Sequence, residues 1–118
     1  MKIGIIGQGF VGTAVNEGLK SSFKVETFDI NKKSTCSSLE ELSKKSDVIF
    51  VCLPTPMEQN GDCHLNIVEN TLLGLDLAEE CKTIVVKSTI PPGTTEKWNK
   101  RFNYIQVVFN PEFLTEAN

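Results

Sequence analysis

The 118-residue sequence lacks several features that direct proteins to particular partners or places. Its formal charge is only −3 and its basic residues are scattered, which argues against nucleic acid or an anionic membrane as the main partner. No apolar run approaches the ~20 residues of a membrane span, and the first residues show no cleavable signal pattern. The single histidine, His64, has no second metal ligand at a suitable spacing. We therefore expect a cytoplasmic protein without a bound metal.

The cysteines also lack a functional pattern. They include no C-x-x-C pair and no zinc-type spacing. We interpret them as reduced thiols of a cytosolic protein, buried or idle rather than reactive. The four are Cys36, Cys52, Cys63 and Cys81.

Apolar segments and turn residues alternate along the chain in a strand, helix, strand, helix pattern. A chain of this length buries roughly two-thirds of its unfolded surface, which is enough for one domain with one core. The alternation predicts an α/β fold: a Rossmann-type doubly wound parallel sheet of about five strands, covered by helices on both faces. The predicted strands are Lys2–Gly7, Phe23–Phe28, Asp47–Leu53, Thr83–Val86 and Tyr104–Phe109.

Two of the predicted helices begin with recognisable capping signals. Ser38 is followed three residues later by Glu41, which is a capping box, and Asn66 is followed in the same way by Glu69. The predicted helices are approximately Phe10–Lys20, Ser38–Lys45, Asn66–Leu77 and Thr94–Phe102.

A glycine-rich turn joins the first strand to the first helix. It reads Gly7-Gln8-Gly9-Phe10-Val11-Gly12, the pattern G-x-G-x-x-G. The first glycine permits a tight turn, the second lets the backbone approach a pyrophosphate, and the third lets helix and strand pack closely. The helix N-terminus offers N–H groups and a partial positive charge to the phosphates. The turn therefore predicts dinucleotide binding by Gly7, Gly9, Phe10, Val11 and Gly12.

An acidic residue closes the second predicted strand. Asp29 lies about twenty residues beyond the glycine turn, where dinucleotide-binding folds place the acid that accepts hydrogen bonds from the adenosine ribose. A carboxylate there repels a 2′-phosphate, so NAD is favoured over NADP. Lys32 and Lys33 leave the alternative open, because either could attract a phosphate. We include Lys33 among the candidate cofactor contacts, with a solvated loop lysine as the alternative.

Polar, glycine and proline residues follow every predicted strand. The carboxyl ends of parallel strands share one edge of the sheet, and ligands of open α/β sheets bind in the crevice outside that edge. The opposite ends carry mainly charged connectors. The segments at the predicted ligand edge are the glycine turn, Asp29, Pro54-Thr55-Pro56, Ser88-Thr89 and Asn110-Pro111-Glu112.

The motifs that follow the predicted strands, taken in the order in which they occur along the chain, resemble those of the N-terminal domain of the UDP-glucose/GDP-mannose 6-dehydrogenase family. The resemblance covers essentially the whole chain, so it implies one NAD-binding domain over residues 1–118. Its most specific part is the last motif, which general dinucleotide folds lack. Such enzymes oxidise the C6 alcohol of a nucleotide sugar to a carboxylate with two NAD, in the cytoplasm. The motifs are Gly7 to Gly12, Asp29, Leu53-Pro54-Thr55-Pro56, Ser88 to Thr94 and Asn110 to Glu116.

The resemblance also assigns roles to individual residues. Thr55 and Ser88 would contact the cofactor, and Thr89 would contact it and help to hold the catalytic water. Glu112 would act as the acid/base or water-orienting carboxylate and meet the substrate. Glu116 would contact both the nicotinamide side and the substrate. A hydroxyl and a carboxylate that converge on one water form a general-base arrangement.

Two further residues of the last motif, Phe113 and Leu114, are either substrate contacts or packing residues.

Family members are several times longer than this chain and carry the nucleophilic cysteine in a second domain. None of the four cysteines here matches that nucleophile. We therefore expect this chain to bind NAD but to be inactive alone. The alternatives are a non-catalytic NAD-binding module that regulates or completes a partner, and the hydroxyacid or 6-phosphogluconate dehydrogenase branch. The last predicted strand would be an unprotected sheet edge, which predicts self-association or a partner chain.

Overall fold

The computed structural model describes residues 2–7, 10–29, 35–53, 66–87 and 93–110. Five strands alternate with four helices over these residues. The strands are β1 (Lys2–Ile6), β2 (Lys24–Phe28), β3 (Val48–Val51), β4 (Lys82–Val86) and β5 (Ile105–Phe109). The helices are α1 (Phe10–Leu19), α2 (Leu39–Lys45), α3 (Asn66–Leu77) and α4 (Thr94–Arg101).

The five strands form one parallel sheet in the order β2-β1-β3-β4-β5. In β1, Ile5 lies opposite Thr27 of β2 and Phe50 of β3. The chain therefore runs outward from β1 to β2, crosses back, and then proceeds through β3, β4 and β5 on the other side. The predicted fold class and strand number are confirmed. The direction changes between β1 and β3, which makes that gap the topological switch point.

Three helices cover one face of the sheet. The N-cap of α2 shows one half of the predicted capping box, since Oγ of Ser38 accepts from the N–H of Glu41 at 3.1 Å. The carboxylate of Glu41 accepts from the N–H of Ser37 at 3.0 Å instead of from that of Ser38. Side chains of alternate strand positions and the apolar sides of α2, α3 and α4 are buried together and supply most of the core. The buried members are Ile6, Cys36, Leu42, Ile49, Val51, Val68, Leu72, Leu75, Ile84, Val86, Trp98, Phe102, Ile105 and Val107.

Helix α1 covers the other face of the sheet over its first strands. Ile3, Ile5 and Cys52 are buried there, and Val15 and Leu19 of α1 pack against them. The carboxyl ends of β1 and β3 are thus enclosed by α1 on one face and by the larger core on the other. Among the described residues, none of the helices is long and apolar enough to cross a membrane.

The outer edge of β5 is capped by side chains at Ile105 and Val107, so our expectation of an unprotected edge was wrong for these residues. The side-chain amide of Asn99 in α4 takes the place of a neighbouring strand beside Val107. Its Nδ2 donates to the C=O of Val107 at 2.9 Å, and its Oδ1 accepts from the N–H of Val107 at 2.7 Å. Oδ1 of Asp76 accepts from the N–H of Ile105 at 3.2 Å. Such side chains hinder strand addition at an edge, and self-association itself stays a prediction.

Candidate cofactor-binding site

The glycine turn starts at Gly7, directly after β1. Gly7 has a φ of +94°, a conformation that residues with a Cβ rarely adopt. Its N–H donates to the C=O of Phe28 at 2.8 Å, so the turn stays attached to the end of β2. A Cβ at Gly7 would lie 2.5 Å from the carbonyl oxygen of Cys52. Glycine is therefore required here both by the backbone conformation and by the closeness of the segment that follows β3.

Gly12 lies in the first turns of α1 and is buried. A Cβ at this position would overlap the carbonyl oxygen of Gly7 and would lie 3.5 Å from Cβ of Cys52. The helix consequently approaches the strand end more closely than any side chain would allow. This is the packing role that the third glycine of the motif was predicted to have.

The beginning of α1 is suited to an anion. The first N–H groups of a helix have no partner within the helix and carry its partial positive charge. The first turn of α1 contains no acidic residue that would compete for that charge. Because Gly7 and Gly12 bring α1 close to the switch point between β1 and β3, its N-terminus lies where an open α/β sheet binds its ligand.

Asp29 follows the last residue of β2 and is partly buried. Its neighbour Phe28 accepts the hydrogen bond from Gly7, so the acid lies one strand away from the glycine turn. The structure therefore brings Gly7, Gly12 and Asp29 to the same edge of the sheet, as the sequence predicted. A close-packed glycine turn, a helix N-terminus and a neighbouring acid fit the pyrophosphate and ribose of NAD.

The other predicted residues divide into two groups. Phe10 and Val11 form the start of α1, but their side chains are outside the described part of the structure. The remaining candidates are themselves outside the described residues, and these are Gly9, Lys33, Thr55, Ser88, Thr89, Glu112, Phe113, Leu114 and Glu116.

The residues just before two of those motifs are described, and they indicate where the chain goes. The N–H of Lys87 donates to the C=O of Val51 at 2.9 Å, and the N–H of Asn110 donates to the C=O of Val86 at 3.0 Å. Both residues thus still pair with a neighbouring strand at the carboxyl edge. The chain therefore enters the Ser88 motif and the Pro111 motif from the same edge that carries the glycine turn.

A cluster beside Asp29 was missed by the sequence reasoning. Thr27 and Thr35 hydrogen-bond to each other, and the hydroxyl of Thr35 donates to Glu26 at 2.7 Å. That hydrogen bond is the main reason why the pKa of Glu26 is lowered below its ordinary value. Threonine and glutamate in a strand-and-loop segment give no particular signal, so only the fold reveals this cluster.

Comparison with known proteins agrees with this geometry. Residues 17–118 match the NAD binding domain of the UDP-glucose/GDP-mannose dehydrogenase family. The chain belongs to this family. The cofactor of the family's domain is NAD, and the predicted relationship is confirmed. The match begins at residue 17, after the glycine turn, so the match itself does not depend on that turn.

The chain is also similar to individual proteins and to a solved structure. The chain is 29% identical to a UDP-glucose 6-dehydrogenase of Streptococcus pneumoniae over 99% of this chain and 37% of that enzyme. It is 38% identical to an uncharacterised protein of Methanocaldococcus jannaschii over 86% of this chain and 12% of that protein. The fold superimposes with a TM-score of 0.83 on a UDP-glucose dehydrogenase from Pyrobaculum islandicum, at 24% identity, over 99% of this chain and 37% of that chain. The sequence thus spans little more than a third of the two dehydrogenases, from Streptococcus pneumoniae and Pyrobaculum islandicum.

Proposed function

We propose that residues 1–118 are the NAD-binding domain of a nucleotide-sugar 6-dehydrogenase, of the type that oxidises UDP-glucose or a similar nucleotide sugar to a uronate. The observation that carries the proposal is the close packing of α1 on the glycine turn, with Asp29 one strand away. Family membership supports NAD as the cofactor, and the Streptococcus pneumoniae relative supports the reaction class.

In this proposal the described residues hold the cofactor. Gly7 and Gly12 keep the turn and the start of α1 close enough for main-chain N–H groups to bind the pyrophosphate. Asp29 accepts hydrogen bonds from the adenosine ribose hydroxyls and disfavours the 2′-phosphate of NADP. When bound, NAD supplies the hydride-accepting group for oxidation of the sugar alcohol. We also propose Gly9, Phe10, Val11 and Lys33 as cofactor contacts, by their positions in the sequence.

The proposed reaction site comes from the motifs that follow β3, β4 and β5. Thr55 and Ser88 would contact the cofactor, and Thr89 and Glu112 would hold and activate a water as a general-base pair. Glu116 would contact the nicotinamide side and the sugar, and Phe113 with Leu114 would line the substrate. The pairing of Lys87 and Asn110 at the carboxyl edge supports this arrangement, because it directs two of these motifs toward the cofactor edge.

We further propose that the chain is inactive alone and acts in the cytoplasm with further polypeptide, either in the same enzyme or in a partner chain. The support is that it spans 37% of the Streptococcus pneumoniae enzyme and none of its cysteines matches the family's nucleophile. We also propose that the chain associates with a second copy of itself or with a partner chain, as the sequence predicts. Because the β5 edge is capped at Val107, such association would have to use another surface or displace Asn99.

A second candidate function is a non-catalytic NAD-binding module that regulates or completes a partner. One observation favours it: the similar segment of the Methanocaldococcus jannaschii protein is only 12% of a much longer chain. This kind of domain therefore occurs in proteins of quite different overall size. The two candidates share the cofactor site and differ in whether a sugar nucleotide is oxidised.

Isothermal titration of the purified chain with NAD, NADP and UDP-glucose tests the proposal. We expect NAD to bind, NADP to bind more weakly and UDP-glucose to bind feebly, with no NADH formed from the mixture. Asp29→Ala should weaken NAD binding and narrow the preference over NADP. Asp47→Ala, at the amino-terminal edge of the sheet, is the matched control for loss of a carboxylate. Absence of NAD binding by the wild-type chain would contradict the proposed function.

A further inference from the structure

A reciprocal pair of threonines lies at the outer edge of β2, two residues before Asp29. The N–H of Thr27 donates to Oγ1 of Thr35 at 2.7 Å, and the N–H of Thr35 donates to Oγ1 of Thr27 at 3.0 Å. The N–H of Cys36 donates to the C=O of Thr27 at 2.9 Å. Both outward main-chain groups of Thr27 are therefore occupied. Residues 35 and 36 are thus tied to the outer edge of β2.

Glu26 fixes the direction of the Thr35 hydroxyl. Oγ1 of Thr35 donates to Oε2 of Glu26 at 2.7 Å, whereas the C=O of Thr27 is 3.4 Å away. With its proton directed to the carboxylate, Oγ1 presents its lone pairs to the N–H of Thr27. A hydrogen bond to a charged acceptor is stronger than one between neutral groups, so the carboxylate stabilises this orientation.

These contacts hold the backbone on both sides of Asp29. Phe28, directly before it, accepts from the N–H of Gly7 at 2.8 Å. Thr27, two residues before it, is held through Thr35, which follows Asp29 in the chain. The end of β2 directly before Asp29 is thus held by pairing to β1 on one side and by the threonine pair on the other.

We infer that Thr35 is a positioning residue for the adenosine end of the cofactor site. It holds the chain at residues 35 and 36 against β2, and so holds the end of β2, in the position where the Asp29 carboxylate meets the ribose hydroxyls and excludes a 2′-phosphate. The inference rests on the proposed function and extends it to a residue outside the predicted cofactor contacts. It predicts that the Thr35 hydroxyl sets both the affinity for NAD and the preference for NAD over NADP.

Titration of Thr35→Val and Thr35→Ser with NAD and NADP tests the inference. Valine keeps the side-chain shape but removes the hydroxyl, so we expect NAD binding about five- to tenfold weaker, which corresponds to one lost hydrogen bond. NADP binding should weaken less, because a displaced carboxylate repels the 2′-phosphate less. Serine keeps the hydroxyl and should restore both values to within about twofold of wild type. Thr71→Val, which removes a hydroxyl bonded to the C=O of Ile67 within α3, is the matched control.

The outcomes separate the inference from the proposed function. If wild type binds NAD and Thr35→Val binds both cofactors as wild type does, the inference is wrong and the proposed function stands. If Thr35→Val loses affinity for NAD and NADP equally, and Thr35→Ser does not restore either affinity, the role of Thr35 is merely structural and the inference is also wrong. If Thr35→Val does not fold, Glu26→Gln decides: a weaker NAD preference supports the inference, and unchanged binding refutes it. If wild type binds no NAD, both proposals fail.

Discussion

Two glycines of α1 should respond in opposite ways to the same substitution. Gly12 is buried against the carbonyl oxygen of Gly7, where an added Cβ would overlap that atom. Gly18 is exposed, and an added Cβ there would meet no atom within 4 Å. Alanine is a better helix former than glycine at both positions. The pair Gly12→Ala and Gly18→Ala therefore separates the steric demand of the cofactor turn from ordinary helix propensity.

The expected magnitudes follow from these surroundings. To relieve the overlap at Gly12, the helix or the turn has to move by roughly 1 Å, and such overpacking typically costs about 1–3 kcal/mol. Gly18→Ala should instead stabilise the chain by about 0.5–1 kcal/mol, because it removes backbone entropy from the unfolded state. A shift of about 1 Å at the start of α1 also lengthens hydrogen bonds from its N–H groups to a pyrophosphate beyond the usual 3.2 Å limit. Gly12→Ala should therefore lose NAD affinity by roughly tenfold or more.

Urea unfolding and calorimetric titration with NAD measure both effects on the same samples. Gly12→Ala should unfold at lower urea and bind NAD poorly, whereas Gly18→Ala should unfold at higher urea and bind NAD as wild type does. A Gly12→Ala variant with wild-type stability and affinity would refute the close packing of α1 on the turn. A weakened Gly18→Ala variant would show that α1 tolerates no added Cβ at all, and the contrast would lose its meaning.

Three further predictions concern the rest of the molecule. Asn99→Ala leaves the main-chain N–H and C=O of Val107 without their side-chain partner. This variant should therefore self-associate at a lower protein concentration than wild type, as measured by size-exclusion chromatography with light scattering. The control variant Lys100→Ala should behave as wild type does. The pKa of Glu26 is lowered, mainly by the hydrogen bond from the Thr35 hydroxyl. The ionised carboxylate therefore contributes its full stabilisation at pH values above its ordinary pKa of 4.5, and this stabilisation is lost as the pH falls through the lowered pKa. Glu26→Gln should accordingly show a shallower fall of melting temperature in acid, and an unchanged fall would contradict this. Burial raises the pKa of the Cys36 thiol, whereas Cys81 is exposed. In a time course followed by mass spectrometry, iodoacetamide should therefore label Cys81 well before Cys36. Faster labelling of Cys36 would contradict its burial.

The parts of the site that depend on local sequence could be predicted. The glycine turn, the acid about twenty residues on and the Ser38 capping box each combine residue type with short spacing, and the structure places Gly7, Gly12, Asp29 and Ser38 as expected. The parallel arrangement and the number of the strands could also be predicted from the sequence, because apolar runs that alternate with helical segments require a parallel sheet covered by helices. The order of the strands did not follow, since neither composition nor spacing says on which side of β1 the chain returns.

The contacts that the sequence did not reveal are side chains that replace main-chain partners at the two sheet edges. Thr35 pairs with Thr27 at the β2 edge, and Asn99 pairs with Val107 at the β5 edge; in each case the partners are eight residues apart. Such a spacing has no periodic signature, because in neither pair do the two partners lie within one helix or one strand. The same physical requirement, that an edge N–H and C=O find partners, acts at both edges. At the β2 edge, by the inference drawn above, meeting this requirement also positions Asp29 for the cofactor. On that inference the side chain that caps β2 has a functional role as well as a structural one, because β2 ends directly before the acid of the proposed cofactor site.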